Sequence, residues 1–375
     1  MNKAISLFST LYTLFFILSA CGSKPAVVEE ETAAPAAPAF AKGADISWVT
    51  EQEADGVKFY DKDGRETDCF ALMKEIGMNA IRLRVWVNPE TAARQDGKDG
   101  GYGSAYSGKD DVVAKAIRAK EQGLNVIIDF HYSDLFADPG RQLTPAAWRD
   151  KSVDELKEAV AAHTTEVLEA LKAADVYPTW IQIGNETRPG MLHPTALLWD
   201  EEGERAEGWA NYAALTNAGY DAAKAVFPET IVMVHIDNAY EENDWWFDKL
   251  KANGGQFDMI GLSHYPMVTG KVTWREANRL ALDHIRSWAE KYGVPVMVVE
   301  VGVIYGDAEA DQCMKEFMDE VRTIGQCKGA FYWEPQVYAD WRPQVYQTVF
   351  GWGAYNQGAF TPEGRPADYL YELTK

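Results

Sequence analysis

The feature that most restricts the fold is a regular alternation of short apolar segments and longer amphipathic segments from residue 43 to the C-terminus. The apolar segments are rich in β-branched residues and are typical of buried parallel strands. The predicted strands are Ala44–Trp48, Ala80–Val85, Asn125–Phe130, Trp180–Ile183, Ile231–His235, Met259–Leu262, Val296–Val299 and Gly329–Trp333. The predicted helices lie near residues 68–76, 112–121, 153–174, 209–225, 242–251, 274–291, 309–323 and 366–373.

The number of strand–helix units separates two α/β architectures. Eight units match a closed barrel, in which eight parallel strands are each followed by a helix. The alternative is a doubly wound open sheet, but no Gly-rich phosphate-binding loop follows the first predicted strand. We therefore predict an α/β fold with a single (β/α)8 TIM barrel over residues 41–375.

Two glutamates close predicted strands of this barrel. Glu186 follows the run that starts at Trp180, and Glu300 follows the run that starts at Val296. The C-terminal end of a barrel strand points into the mouth of the barrel, where barrel enzymes place their catalytic residues. Hydrolysis of a glycosidic bond requires such a pair, one acid/base and one nucleophile. The alternative is that both are ordinary glutamates at strand ends.

Other polar residues gather just past the ends of the predicted strands. They are Trp86 and Asn88, then His131, Tyr132 and Asp134, then Asn185, His235, Asp237, His264, Tyr265, Trp333 and Glu334. Because the ends of parallel strands meet on one face of a barrel, these side chains predict a lined cleft.

Composition narrows the class of partner. A formal net charge of −21 argues against nucleic acid as a partner and against an anionic membrane surface as the main one. The 13 Trp and 18 Tyr residues fit a cleft that stacks aromatic rings on the apolar faces of sugars, although most of them are expected in the core.

The N-terminal segment is predicted to be a targeting signal. Lys3 precedes an apolar stretch from Ala4 to Leu18, which is short for a membrane span. The following Leu18-Ser-Ala-Cys21 resembles a bacterial lipobox. The resemblance implies removal of residues 1–20 and lipidation of Cys21. Residues 21–40 would be a flexible tether on an exported lipoprotein, in the outer membrane of a bacterium.

The remaining cysteines are Cys69, Cys313 and Cys327. A helical stretch separates Cys313 from Cys327 by more than a disulfide can bridge, so we predict three buried free thiols. No Cys/His spacing resembles a zinc site, and we expect neither a metal nor a cofactor.

At its strand ends the chain resembles the endo-β-1,4-galactanases of glycoside hydrolase family 53, arabinogalactan-degrading enzymes of a retaining clan of β/α-barrel glycosidases. The resemblance extends from about residue 43 to the C-terminus. The matching segments are residues 43–49 (GADISWV), 77–89 (GMNAIRLRVWVNP), 129–134 (DFHYSD), 137–140 (ADPG), 182–187 (QIGNET) and 332–335 (YWEP).

This resemblance implies a role for each matching residue. Glu186 would be the acid/base and Glu300 the nucleophile. Asn185 would bind the sugar 2-hydroxyl, Tyr265 would orient Glu300, and Arg84 would keep Glu300 ionised. Trp333 would be the floor under the sugar ring, with Trp86 and His131 on the walls. The further expected substrate-binding residues are Asp45, Asp134, His235 and Asp237.

One departure from the family pattern keeps the substrate open. Leu135-Phe136 stands where the family usually has Trp, which could alter affinity at one sugar subsite. The implied activity is retaining endo-hydrolysis of β-1,4-galactan, a side chain of pectin. One alternative is a related endo-glycanase acting on mannan or glucan. The other is a catalytically silent, glycan-binding lipoprotein.

Overall fold

A computed structural model describes residues 36–91, 94–95, 98–99 and 105–375. The predicted signal segment, Cys21 and most of the predicted tether lie outside these residues. No helix in the described part of the chain is both long enough and apolar enough to cross a membrane.

Eight parallel strands close into a barrel, as the sequence predicts. They are β1 (Ala41–Asp45), β2 (Ala80–Val85), β3 (Asn125–Phe130), β4 (Trp180–Ile183), β5 (Ile231–Ile236), β6 (Met259–His264), β7 (Val296–Val301) and β8 (Cys327–Trp333). Each strand pairs with the next, and β1 closes the ring by pairing with β8, where Ala41 lies opposite Gly329.

The helices lie between the strands. They are α1 (Val49–Ala54), α2 (Cys69–Ile76), α3 (Lys109–Glu121), α4 (Val153–Ala173), α5 (Ala206–Val226), α6 (Asp244–Ala252), α7 (Trp274–Tyr292), α8 (Ala310–Val321) and α9 (Asp368–Glu372). Local chemistry explains several ends. Ser152 caps α4 through a reciprocal bond with Glu155, and Gly77 ends α2 with a φ of 104°.

Short antiparallel strand pairs lie in the loops outside the barrel. They are Phe59–Tyr60 with Glu66–Thr67, Arg94–Gln95 with Lys98–Asp99, Gly190–Met191 with Ala196–Leu197, and Trp199–Asp200 with Gly203–Glu204. The last two pairs belong to the long connection between β4 and α5, on the face of the barrel where the strands end.

The first strand differs from its prediction. We expect Ala44–Trp48 from the sequence, but β1 spans Ala41–Asp45. The Asp45 carboxylate accepts hydrogen bonds from the Ser47 backbone N–H and hydroxyl, which turns the chain toward α1. The apolar residues after Asp45 therefore pack as a loop and a helix start, which a hydrophobic pattern alone does not distinguish from a strand.

Apolar side chains fill the inside of the barrel. Its interior cluster includes Trp180, Met233, Met297 and Phe331. A Cβ atom on Gly43 would lie 2.2 Å from the Phe331 ring, so this position requires glycine. The barrel is thus a packed core, and its chemistry is confined to the ends of the strands. Cys69, Cys313 and Cys327 are buried and free, which confirms the prediction for the thiols.

Candidate active site

A cleft of about 230 Å³ opens at the C-terminal ends of the strands, where barrel enzymes place their active sites. The ends of β7 and β8 and the loops after β3, β4, β6 and β8 supply its walls. Its lining residues are His131, Phe136, Ala137, Asp138, Asn185, Glu186, Tyr265, Glu300, Trp333, Tyr346, Trp352, Tyr355 and Gln357. The structure therefore brings together the two predicted catalytic glutamates with His131, Asn185, Tyr265 and Trp333.

Glu300 is fixed by Arg82, which lies on β2, and by Tyr265, which follows β6. Its Oε1 lies 3.0 Å from Nη1 of Arg82, and its Oε2 accepts a 2.8 Å hydrogen bond from the Tyr265 hydroxyl. Arg82 is itself buried between the carboxylates of Asp45 and Asp129, each 2.8 Å away. One guanidinium therefore serves three carboxylates, so its orientation is fixed before any substrate arrives.

The prediction that Arg84 keeps Glu300 ionised is wrong, because Arg82 is the arginine that pairs with Glu300. Arg82 and Arg84 point to the same side of β2, but Arg84 is one layer higher and pairs with Glu334 at 2.6 Å. The other Glu334 oxygen accepts hydrogen bonds from the Trp48 backbone N–H and from Gln336. The Arg84 guanidinium also lies over the rings of Trp48 and Phe136.

A tight turn after β4 directs Glu186 into the cleft. Gly184 has a φ of 84°, and a Cβ there would lie 2.5 Å from Thr187. Glu186 itself adopts a left-handed φ of 47°, a conformation that non-glycine residues rarely adopt outside functional sites and turns. The residue is half-buried, with its carboxyl group facing Glu300.

His235 and Ser263 support Glu186 from behind. The Glu186 backbone N–H donates to His235 Nδ1, so the neutral ring carries its proton on Nε2 and donates it to Ser263 Oγ. The Ser263 hydroxyl is then available to donate to the Glu186 carboxylate. Burial lowers the pKa of His235 well below its ordinary value, which keeps the ring neutral in this role.

The two glutamates have different electrostatic surroundings. Burial and the negative charges of Glu300 and Asp237 raise the pKa of Glu186 well above its ordinary value. Burial also raises the pKa of Glu300, to about 7, but Arg82 and the Tyr265 hydrogen bond act against this rise. These surroundings favour the protonated form of Glu186 over that of Glu300, which is the order that a general acid beside an ionised nucleophile requires.

Trp333 forms an aromatic floor beside the glutamates. Its ring meets the edges of Trp48 and Tyr355 at centroid distances of 5.0 and 4.8 Å. Tyr346 packs against Trp48 as well, so the floor rests on a cluster of interlocking rings. Such a surface suits the apolar face of a sugar.

Six residues predicted to bind substrate stand behind the cleft lining. Asp45 binds Arg82, Arg84 binds Glu334, and His235 binds Ser263. Trp86 is buried against Phe136, and Asp237 is held by Arg188 through two hydrogen bonds. The Asp134 carboxylate accepts the backbone N–H groups of Asn88 and Ala146, so it joins two loops. A strand-end position alone does not tell a lining residue from its support.

Several functional side chains escape the sequence prediction. Arg82, Asp129, Gln182 and Ser263 form the hydrogen-bonded layer under the glutamates. Each of them is a polar residue within an otherwise apolar strand, and this is the sequence feature by which they could have been recognised. Tyr346, Trp352 and Tyr355 line the cleft from the loop after β8, where the sequence has a conspicuous density of aromatic residues.

One group in the described part of the chain has the spacing of metal ligands. Atoms of Glu186, His235 and Glu300 lie within 4.8 Å of one another. Both ring nitrogens of His235 are already engaged, Nδ1 as an acceptor from the Glu186 backbone and Nε2 as a donor to Ser263. The donor set therefore fits proton transfer better than metal binding.

Comparison with known proteins places this site in a family. The family model for glycosyl hydrolase family 53 matches residues 41–370. The chain belongs to glycosyl hydrolase family 53. This membership, together with the two facing glutamates, makes the chain a glycoside hydrolase.

Relatives and solved structures of family 53 agree over most of the chain. An arabinogalactan endo-beta-1,4-galactanase from Thermothelomyces thermophilus is 30% identical over 320 residues, which is 78% of this chain and 89% of the relative. The family 53 catalytic domain of Ignisphaera aggregans aligns with a TM-score of 0.76 and 27% identity, covering 91% of this chain and 97% of that one. A structure of fungal beta-1,4-galactanases aligns with a TM-score of 0.72 and 26% identity, covering 89% and 98%.

Proposed function

We propose that this family 53 hydrolase cuts β-1,4-galactan internally, by a double-displacement mechanism that retains the configuration of the anomeric carbon. The observation that carries the mechanism is the separation of the two glutamates, whose facing oxygens lie within 4.8 Å. Retaining enzymes have carboxyl groups about 5 Å apart, whereas inverting enzymes need about 6.5–9.5 Å to admit a water molecule.

In the first step Glu300 attacks the anomeric carbon of the sugar that lies over Trp333. Glu186 gives its proton to the departing glycosidic oxygen, and the bond between the two sugars breaks. Arg82 and Tyr265 hold the Glu300 carboxylate in line with this carbon. The product of the step is a glycosyl ester on Glu300.

In the second step the roles of Glu186 reverse. Glu186 is now ionised and removes a proton from a water molecule, which attacks the anomeric carbon and releases Glu300. The hydrogen bond from Ser263 stabilises Glu186 while it is charged. The site thereby returns to its starting protonation.

The substrate assignment rests on the relatives. Two relatives are an arabinogalactan endo-beta-1,4-galactanase from Thermothelomyces thermophilus and an endo-beta-1,4-galactanase from Bacillus subtilis. The open cleft with an aromatic floor suits internal attack on a polymer. Galactan of this linkage occurs as side chains of pectin and of type I arabinogalactan, so galacto-oligosaccharides are the expected products.

A time course of products tests this function. The purified protein is incubated with linear β-1,4-galactan and, separately, with mannan, glucan and arabinan. We expect short galacto-oligosaccharides from galactan only, and none with Glu300→Ala. Cleavage of another glycan would keep the mechanism and change the substrate. Binding of galactan with no cleavage of any glycan would contradict the proposal and favour a silent barrel.

We also propose that the protein is exported and held on the bacterial outer membrane by a lipid on Cys21. The support is the apolar segment before Leu18-Ser-Ala-Cys21 and the Ala/Pro-rich stretch after it. Expression of the full chain and of Cys21→Ala in a bacterial host tests this. We expect the native chain in the membrane fraction with a lipid mass on Cys21, and the variant released from it. Equal membrane retention of both would contradict lipid anchoring.

A further inference from the structure

The exposed aromatic residues suggest that substrate contacts extend beyond the cleft. Among the described residues, the large apolar side chains that remain exposed are Trp245, Val268, Tyr305 and Trp352. They follow β5, β6, β7 and β8 respectively, so all four lie on the catalytic face. A single exposed apolar side chain is common on a soluble protein, whereas contiguous apolar surface marks a binding site.

Trp199 and Trp245 form a pair on this face, which we call the tryptophan ledge. Trp245 is 40% exposed at the start of α6, and the half-buried Trp199 lies in the short strand pair that follows β4. Their ring centroids are 5.0 Å apart at an interplanar angle of 80°. The edge-on packing fixes both rings and leaves apolar surface available to a ligand.

The ledge is rigidly supported. Below it, Trp209 and Trp246 are buried and contact each other at a centroid distance of 5.8 Å. A 2.7 Å ion pair between Lys249 and Glu204 joins α6 to the short strand pair that carries Trp199. A ligand therefore meets a surface whose side-chain order is already established, which lowers the entropic cost of binding.

The ledge is connected to the general acid. Trp246, next to Trp245, donates its indole N–H to the carbonyl of Arg188, two residues after Glu186. Arg188 is half-buried and makes two hydrogen bonds to Asp237, whose charge acts on Glu186. Arg188, which is partly exposed and held by the buried Asp237, thus lies between the glutamates and the ledge, where sugar hydroxyl groups need partners.

The order of strands in the barrel places the ledge across the glutamates from the aromatic cleft. Glu186 follows β4 and Glu300 lies on β7, so the loops of β8, β1, β2 and β3 are on one side of the line joining them. Those of β5 and β6 are on the other. Trp333, Tyr355 and Phe136 belong to the first side. Trp245 belongs to the second, with Trp199 beside it.

We propose that the tryptophan ledge binds sugar residues on the leaving-group side of the cleaved bond. The ligand is a β-linked hexopyranose chain, and this proposal rests on the proposed function. The chain lies on Trp333 before the cleaved bond and passes over the two glutamates. Beyond them it crosses Arg188 and reaches Trp245. The ledge thereby selects long substrates over short ones.

Two substrates separate this role from a structural one. Linear β-1,4-galactan occupies both sides of the glutamates, whereas an aryl β-galactobioside has no sugar on the leaving-group side. We expect Trp245→Ala to lower kcat/KM on galactan by about tenfold, the effect of about 1.4 kcal/mol of stacking. Activity on the aryl substrate should stay within twofold, and Trp245→Phe should restore most of the loss.

A matched control is Tyr305→Ala, which removes an aromatic ring of similar exposure (39%) from the loop after β7. We expect it to leave both substrates unaffected. Unchanged galactan activity in Trp245→Ala would overturn the proposal, and so would an equal loss on both substrates, because that pattern indicates damage to the site.

Glycan binding by the ledge can be measured even if the proposed substrate is wrong. Migration of the full-length protein in gels containing galactan, mannan or glucan is compared with that of Trp245→Ala. If the native protein cleaves a glycan other than galactan, the same variants are assayed on that glycan. Equal retardation of the native protein and the variant by every retarding glycan would overturn the ledge. Failure to cleave galactan would contradict only the proposed function.

Discussion

Two arginines of strand β2, one layer apart, each form a buried pair with a glutamate from another part of the barrel, and only one of these pairs faces the cleft. Arg82 binds Glu300 at 3.0 Å, and Arg84 binds Glu334 at 2.6 Å. Burial raises the pKa of both glutamates to about 7 against the opposing effect of each arginine. By charge, distance and pKa the two pairs are nearly equivalent.

The surroundings of the two glutamates show which one is catalytic and which one is structural. Glu300 lines the cleft and faces a second carboxyl group on Glu186. Glu334 is fully buried, and its oxygens are taken by Arg84, the Trp48 backbone and Gln336. A perturbed carboxyl group therefore indicates catalysis only where a partner and a substrate can reach it. Elsewhere it indicates a structural network.

The largest expected effect comes from the same substitution in both pairs. Glu300→Gln should lower kcat/KM by at least about 10⁴-fold, because an amide cannot act as the nucleophile. Glu334→Gln should keep activity within about tenfold at temperatures where it is folded. Initial rates on galactan measure both. Similar losses of kcat/KM in the two variants would contradict the assignment of a catalytic role to Glu300 and a structural role to Glu334.

The loss of unfolding free energy should be larger for Glu334→Gln than for Glu300→Gln, the opposite of the order for activity. Glu334→Gln leaves the buried Arg84 charge without its closest counter-charge, since Asp45 lies 3.9 Å away. Loss of one partner from a buried ion pair costs about 3–5 kcal/mol of unfolding free energy. In Glu300→Gln the guanidinium of Arg82 keeps Asp45 and Asp129, so urea denaturation should show a smaller loss. A larger loss for Glu300→Gln would contradict the account.

A smaller effect is expected from Tyr265→Phe, which removes the hydrogen bond to Glu300 but keeps the ring. A hydrogen bond to a charged group contributes about 1.5–3 kcal/mol, so kcat/KM should fall by about 10- to 100-fold. The bond lowers the pKa of Glu300, so its loss raises that pKa. The acid limb of the pH–activity profile should therefore move to higher pH. An unmoved acid limb would exclude Glu300 as its source.

The smallest expected effect is from Ser263→Ala. The Ser263 hydrogen bond favours ionised Glu186, so its removal raises the pKa of Glu186. Activity falls at high pH when Glu186 loses its proton, so the basic limb should move to higher pH with a loss of less than about tenfold in kcat. A shift of the acid limb instead would indicate that Glu186 is the nucleophile and Glu300 the acid/base.

The sequence predicts the architecture well, because periodicity and β-branched runs report burial directly. Strands β2, β3 and β4 match their predicted bounds, while β1 is misplaced because the Asp45 turn interrupts an apolar run. Both glutamates, His131, Asn185, Tyr265 and Trp333 are found lining one cleft.

The partners of these residues could not be predicted in the same way. Arg82 and Arg84 share a strand face, and only the height of each in the barrel decides which glutamate it meets. Asp134 has the position of a cleft residue, but its carboxylate is used by backbone N–H groups. Such pairings depend on contacts between distant segments, as do Trp199 and Trp245 on the ledge.

The most direct test of the central claim is to trap the intermediate. The protein is incubated with an activated 2-deoxy-2-fluoro-β-galactobioside, which forms the glycosyl ester faster than water removes it, and its peptides are examined by mass spectrometry. The account predicts one added disaccharide on the peptide that contains Glu300. An adduct on Glu186 or Glu334, or turnover of the reagent with no adduct on any peptide, would contradict it.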